Sequence, residues 1–206
     1  DSFLTGNQAD LVLSQPDAFD ISMSAVDEKV GDDIATMSEV TAVSGMLQGL
    51  VQTESVPFFF VFGYPDDSFM LSRFQIVDGV ALDSREAEQA HGTPVILGGS
   101  AADTLNKKPG DTMRIQESVF RIVGIYETGQ GLEDSGAVLP LRDAQQLLGR
   151  QHQVSIIYIQ LKDTSLSDRI ETRVERLYPD LSLSTTDAYA DQQMMGDMMK
   201  GYVWGI

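Results

Sequence analysis

Short apolar blocks, cut by Gly, Pro, Asp and Ser, run the length of this chain. Ala9–Ser14 (ADLVLS) reads as a short strand that ends at the Pro16-Asp17 turn. From Ile21 to Met37 the apolar residues Met23, Val26, Val30, Ile34 and Met37 recur at helical spacing. That spacing predicts one helix over 21–37, capped by Ser22 or Ser24, with Asp27 in its first turn and Gly31 as a weak point. Val40–Thr53 reads as a strand in which Gly45 and Gly49 predict a bend or bulge. Glu54-Ser55 predicts a hairpin into the β-prone run Val56–Tyr64, which Tyr64–Asp67 turns away. Phe74–Val77 leads to a turn at Asp78-Gly79, and Ser84–Gln89 reads as polar helix or loop.

The middle, Thr93 to Leu148, has the densest punctuation. A strand (VILGG) meets a glycine turn and a short helix, then a Pro109-Gly110-Asp111 turn, a hairpin and the glycine-rich segment Glu127–Gly136. A strand stopping at Pro140 and a helix to Leu148 complete it. Beyond lies Val154–Leu161 (VSIIYIQL), a clear strand. Ser165 with Asp168 resembles a capping box, Ile170, Val174 and Leu177 mark a helix, and Tyr178-Pro179 stops it before a last strand at Leu181–Ser184. The chain thus begins and ends strand–helix–strand. This predicts an α+β fold of two βαβ-like units flanking a β-rich insertion.

Composition narrows the function classes. The 206 residues include 42% hydrophobic ones, enough for a packed core. No apolar run approaches the roughly 20 residues that span a bilayer, and the start lacks the basic-then-apolar pattern of a signal peptide. Against 14 basic residues stand 31 acidic ones, a formal charge of −17, which repels nucleic acid and anionic headgroups. With no cysteine, disulfides, thiolate metal sites and thiol catalysis are excluded.

Candidate chemistry is sparse. Gly98-Gly99-Ser100 opens a helix after a strand but lacks the phosphate-loop signatures, so it reads as a tight turn. Gly129-Gln130-Gly131 stands beside Glu133 and Asp134, whose charges repel phosphate. His91 and His152 have no partners at metal-ligand spacing and read as solvated loop residues. Asp32-Asp33 diverge on a helix, and Asp66-Asp67-Ser68 lacks the rest of a calcium loop. With no Ser-His signature either, the reading is non-enzymatic, with no catalytic residue, metal or cofactor. In the tail, Met194, Met195, Met198 and Met199 precede Tyr202 and Trp204. Thioethers there could take Cu(I) or form a core-packing helix face, whereas Tyr and Trp favour an approach to a membrane interface. Phe3-Leu4 marks the matching departure at the other end.

The run VILGGSAADTL, KPGDTMRI, FRIVGIYETG and AVLPLRDAQQLL resembles the periplasmic core domain of MacB/FtsX-type ABC transporter permeases (MacB and LolC/LolE-like proteins), as does the opening FLTGNQADLVLSQP. The resemblance implies an extracytoplasmic domain of an inner-membrane permease, placed between its first two membrane helices. On that reading residues 1–55 with 152–206 form a membrane-proximal lobe and 56–151 an inserted, β-rich lobe. It implies a cytoplasmic ABC ATPase, a second permease copy or paralogue, and a periplasmic partner protein or lipoprotein as partners. ATP hydrolysis elsewhere then drives export or release of a lipoprotein, peptide or small hydrophobic compound. A free-standing secreted small-ligand-binding protein is the alternative. The loop Glu127–Gly136, with three glycines and Leu132 as its one apolar residue, is expected to be exposed and mobile at a tip away from the termini. Leu132, Glu133 and Asp134 are its expected partner-contact residues, and Phe3, Leu4, Tyr202 and Trp204 the membrane-approach residues. The chain ends are expected close together.

Overall fold

The structure is a computed structural model; it describes residues 9–203, apart from residues 17 and 19. Strand β1 (Leu11–Ser14) is followed by β2 (Val26–Asp27), α1 (Glu28–Ala35) and the long β3 (Val40–Thr53). A two-residue turn with Glu54 at φ 47° returns the chain along β4 (Val56–Tyr64). A 3₁₀ turn over Phe69–Arg73 leads to β5 (Gln75–Gly79), α2 (Arg85–Glu88), β6 (Thr93–Gly98) and α3 (Gly99–Leu105). The hairpin of β7 (Thr112–Ile115) and β8 (Ser118–Glu127) then precedes α4 (Gly131–Asp134), β9 (Ala137–Pro140) and α5 (Leu141–Leu148). The last elements are β10 (Gln153–Val154), β11 (Ile156–Leu161), α6 (Ser167–Leu177), β12 (Ser182–Thr185) and α7 (Thr186–Val203).

Two topologies share one strand. In the order β12-β1-β11-β3 every neighbour is antiparallel. Each βαβ unit therefore holds a strand of the other between its own two: β1–α1–β3 embraces β11, and β11–α6–β12 embraces β1. This is the ferredoxin-like split βαβ arrangement. Met46 is the last β3 residue paired to β11, and Leu47 is the first paired to β4. From there the pairing runs β3-β4-β9-β6-β8-β7 and returns to β3 through Thr53↔Ile115. The insertion is thus a closed six-stranded ring, filled by Leu47, Val51, Val61, Leu97, Ile115 and Ile122. Closure removes the free edges that an open sheet of this length would expose.

The two faces of the sheet carry two cores. One joins the ring interior to α1, α5 and α6; the other is aromatic, with Phe74 edge-on to Tyr64 and Tyr126 at centroid distances of 5.6 and 4.9 Å.

Several local expectations need correcting. Residues 21–37 are not one helix: a 3₁₀ turn at Ile21–Met23 is followed by extended chain, and α1 starts at Glu28 with Asp27, not Ser22 or Ser24, as its cap, accepting from the Lys29 amide at 2.9 Å. The physical reason is long-range. Arg150 donates to the carbonyls of Ser22 and Ser24 at 2.8 and 3.0 Å, and Val26 pairs with Val154, so those backbone groups are taken before a helix can use them. Gly45 and Gly49 mark no bulge; a Cβ on either would strike Val154 or Leu148, so the glycines permit close packing. Gly79 lies within β5 at φ 74°, not beyond it. Asp163, rather than Ser165, caps the turn before α6, accepting from the Ser165 amide at 2.9 Å.

Candidate interaction surfaces

The loop between β8 and β9 is not a free tip. It folds into α4, and Glu133 inside it accepts two hydrogen bonds from the Arg73 guanidinium at 3.1 and 2.8 Å. The two side chains are 22% and 15% exposed, so this is a largely buried, fork-to-fork ion pair. Asp134 accepts from the Thr128 amide and hydroxyl and from the Gly129 amide at 2.8, 2.9 and 3.1 Å, closing the turn before α4. Tyr126 donates its hydroxyl to the Glu133 carbonyl at 2.5 Å. Burial raises the Tyr126 phenol well above its ordinary range, and the Glu133 charge adds to that, so it remains a donor. At the exit, a Cβ on Gly136 would strike the Phe60 carbonyl. Glu127, Gly129, Gln130, Gly131, Leu132 and Ser135 are exposed, as expected of this loop, but Glu133 and Asp134 are engaged within the domain, Glu133 by a charged anchor 60 residues away. Leu132 is the exposed apolar residue of the loop, 49% exposed.

The described N-terminal end meets the start of α7. Thr186, the first residue of α7, donates its amide to the Asp10 carbonyl at 3.2 Å and its hydroxyl to the Ala9 carbonyl. Among the membrane-approach residues, Phe3, Leu4 and Trp204 lie outside the described residues. Tyr202 falls in the last turn of α7, and its side chain lies outside them too. Met195, on α7, is exposed. Among the described residues no helix is long and apolar enough to cross a membrane.

The start of α3 is covered rather than open, because a Cβ on Gly98 would collide with the Asp134 carbonyl. That explains the glycine as a packing requirement. His91 is exposed, and its carbonyl accepts from Arg121 at 3.2 Å. His152, also exposed, contacts Glu28 through Nδ1 at 2.9 Å. The other Glu28 oxygen accepts from the buried amide of Gln145 at 2.9 Å, which also donates to the Gln153 carbonyl. The Gln145 bond, ahead of His152, holds the Glu28 carboxyl below its ordinary range. Among the described residues no group of three or more His, Cys, Asp or Glu side chains is placed to hold a metal.

Two further anchors carried no sequence signal. Glu39, just before β3, accepts from both Arg173 terminal nitrogens on α6 at 3.0 and 2.9 Å, which holds its carboxyl below the usual range. Arg150 ties the chain leaving α5 to the 22–24 turn. Both contacts span well over 100 residues, beyond any local pattern.

Known proteins share this geometry. The family described as "MacB-like periplasmic core domain" matches residues 2–177. The periplasmic region of MacB from Actinobacillus actinomycetemcomitans superposes with a TM-score of 0.65 at 14% identity, covering 99% of this chain and 95% of that one. The extracellular domain of the noncanonic ABC-type transporter YknZ from Gram-positive bacteria gives 0.66 at 12% identity, covering 85% and 99%. No curated protein sequence matches the chain.

Proposed function

Because this chain belongs to the family of MacB-like periplasmic core domains, we propose that, as the extracytoplasmic part of an ABC transporter permease, it relays movement driven by a cytoplasmic ABC ATPase. Residues 1–55 with 152–206 form the membrane-proximal lobe and 56–151 the inserted lobe. The cargo is a lipoprotein, peptide or small hydrophobic compound exported or released outside the membrane. The parent permease pairs with a second copy or a paralogue. Phe3, Leu4, Tyr202 and Trp204 lead to its membrane helices, and Leu132, as the exposed apolar residue of its loop, meets a periplasmic partner.

The observation that carries this reading is β3. Its 14 residues, a rod of roughly 46 Å at strand rise, pair first with β11 and then with β4, so a strand of the membrane-proximal lobe also forms one side of the inserted lobe's ring. Arg150 braces the return path. The test uses the parent permease with its ATPase in membrane vesicles. Arg150→Ala is expected to leave ATP hydrolysis near wild type while lowering transport. Retention of both activities would sink the relay reading.

A further inference from the structure

A groove of about 910 Å³ opens where α1 faces the start of α5 and the turn after β4. Its apolar lining includes Ala42, Val43, Leu141 and Ile157, together with the exposed Ala35 of α1. Its rim is acidic: Asp32 comes from α1, Asp66 and Asp67 from the turn, and Asp143 from α5. None of these four carboxylates is in an ion pair among the described residues. A fifth acid, Glu28, is already engaged by Gln145 and His152. Arg142 is the only cation among the described residues lining the groove.

Burial, and then the Asp66 charge, raise the Asp143 carboxyl above its ordinary range. Negative charge is therefore crowded here, with Arg142 the one lining cation to offset it. Such a groove discriminates. An anionic occupant is repelled by the rim, and a purely apolar one would strip water from carboxylates that it cannot pair. A segment with apolar residues on one side and Lys or Arg on the other answers both demands: the apolar side covers the apolar lining, and the long basic side chains reach the rim.

We propose that this groove docks a basic amphipathic segment of a partner protein, with Asp32, Asp66, Asp67 and Asp143 reading its charge and Ala35, Ala42 and Val43 receiving its apolar side. Helix-in-groove recognition is an established mode. The occupant touches α1 and α5 together, so it braces the ferredoxin-like part against the ring. Docking stands or falls separately from the transport role, because it is read on the isolated 206-residue chain.

The probe is a fluorescein-labelled amphipathic peptide of Leu, Ala and Lys at helical spacing, followed by anisotropy at low and high salt. The control peptide carries Glu in place of Lys. The Lys peptide should bind saturably at one-to-one stoichiometry, and the Glu peptide should not bind. The variant Asp66→Asn/Asp67→Asn/Asp143→Asn should weaken binding by about tenfold or more and flatten its salt dependence. Ala35→Trp adds bulk to the apolar lining without altering charge, at an exposed α1 position, and should weaken binding comparably. Both variants are matched to wild type by circular dichroism beforehand. Absence of binding, equal binding of the two peptides, or wild-type binding by Ala35→Trp overturns the proposal. The last result would mean diffuse attraction to a chain of charge −17.

Discussion

Glu133→Ala should destabilise the domain substantially although Glu133 sits in a glycine-rich surface loop. The substitution leaves Arg73, only 22% exposed, without the carboxylate that takes both its terminal nitrogens. Orphaning one member of a fully buried ion pair costs about 3–5 kcal/mol. Residual exposure and screening reduce this to about 2–3 kcal/mol here. For a chain of this size that is a fall of about 4–12 °C in Tm. The Tyr126 bond is to the Glu133 backbone and survives, so the loss reports the ion pair alone. Arg73→Met/Glu133→Leu should recover most of the loss, because Phe74 and the neighbouring aromatic core accept apolar side chains. Leu132→Ser, at an exposed position, should stay within about 0.5 kcal/mol of wild type. Urea unfolding followed by circular dichroism measures all three. A Glu133→Ala value within about 0.5 kcal/mol of wild type would refute the anchoring, and so would an Arg73→Met/Glu133→Leu variant no more stable than Glu133→Ala.

Gly31→Ala should stabilise the chain by about 0.5–1 kcal/mol, since its Cβ would meet Ile157 Cδ1 at an ordinary 3.6 Å inside α1; a lower Tm would contradict this. Gly98→Ala should cost about 2–3 kcal/mol, because the Asp134 backbone blocks the new methyl; unchanged urea midpoints would count against that packing. Glu39 and Glu28 have carboxyl pKa values lowered by Arg173 and Gln145 respectively. Their stabilisation is therefore complete above the unfolded value near 4.5 and is lost as pH falls through the lower folded values, so Arg173→Met should flatten the acid limb of a Tm–pH profile. Asp143 is shifted the other way, so Asp143→Asn should raise Tm at pH 7, with the gain vanishing in acid; a gain that persisted in acid would mean that charge is not its cause.

What could be read in the sequence is what is stored locally. The Glu54-Ser55 turn, the Pro109–Asp111 turn and the strand stop at Pro140 each follow from the conformational demands of a few adjacent residues, and the structure has all three. The strand–helix–strand pattern at both ends was equally visible, because alternation and helical spacing are near-neighbour properties. That the two units interlock was not visible, since β1 and β12 meet across almost the whole chain. Residues 21–37 show the failure most clearly. Their spacing suits a helix, but a guanidinium from position 150 takes two of the carbonyls. The anchoring of Glu133 in the loop 127–136 was hidden for the same reason, since Arg73 lies 60 residues away.

The ring shows why a fold can be specified strongly yet read weakly. Its closing pair, Thr53↔Ile115, is a single register position, flanked by the Gln116 amide on the Gln52 carbonyl at 2.8 Å and the Glu54 amide on the Arg114 carbonyl at 3.4 Å. Nothing near Thr53 announces that partner. A subtler trace does exist in the glycines. Gly45 and Gly49 sit four apart on β3, hence on one face, and Gly63 of β4 lies opposite Leu47 between them. A Cβ at these three positions would strike Val154, Leu148 and Ala144. Three glycines on one face of a hairpin are poor strand formers unless something must lie flat against them. What lies there is α5 and Val154 of β10. The same-face spacing thus marks where the returning chain packs, and reading it as a bulge overlooked that the spacing is even.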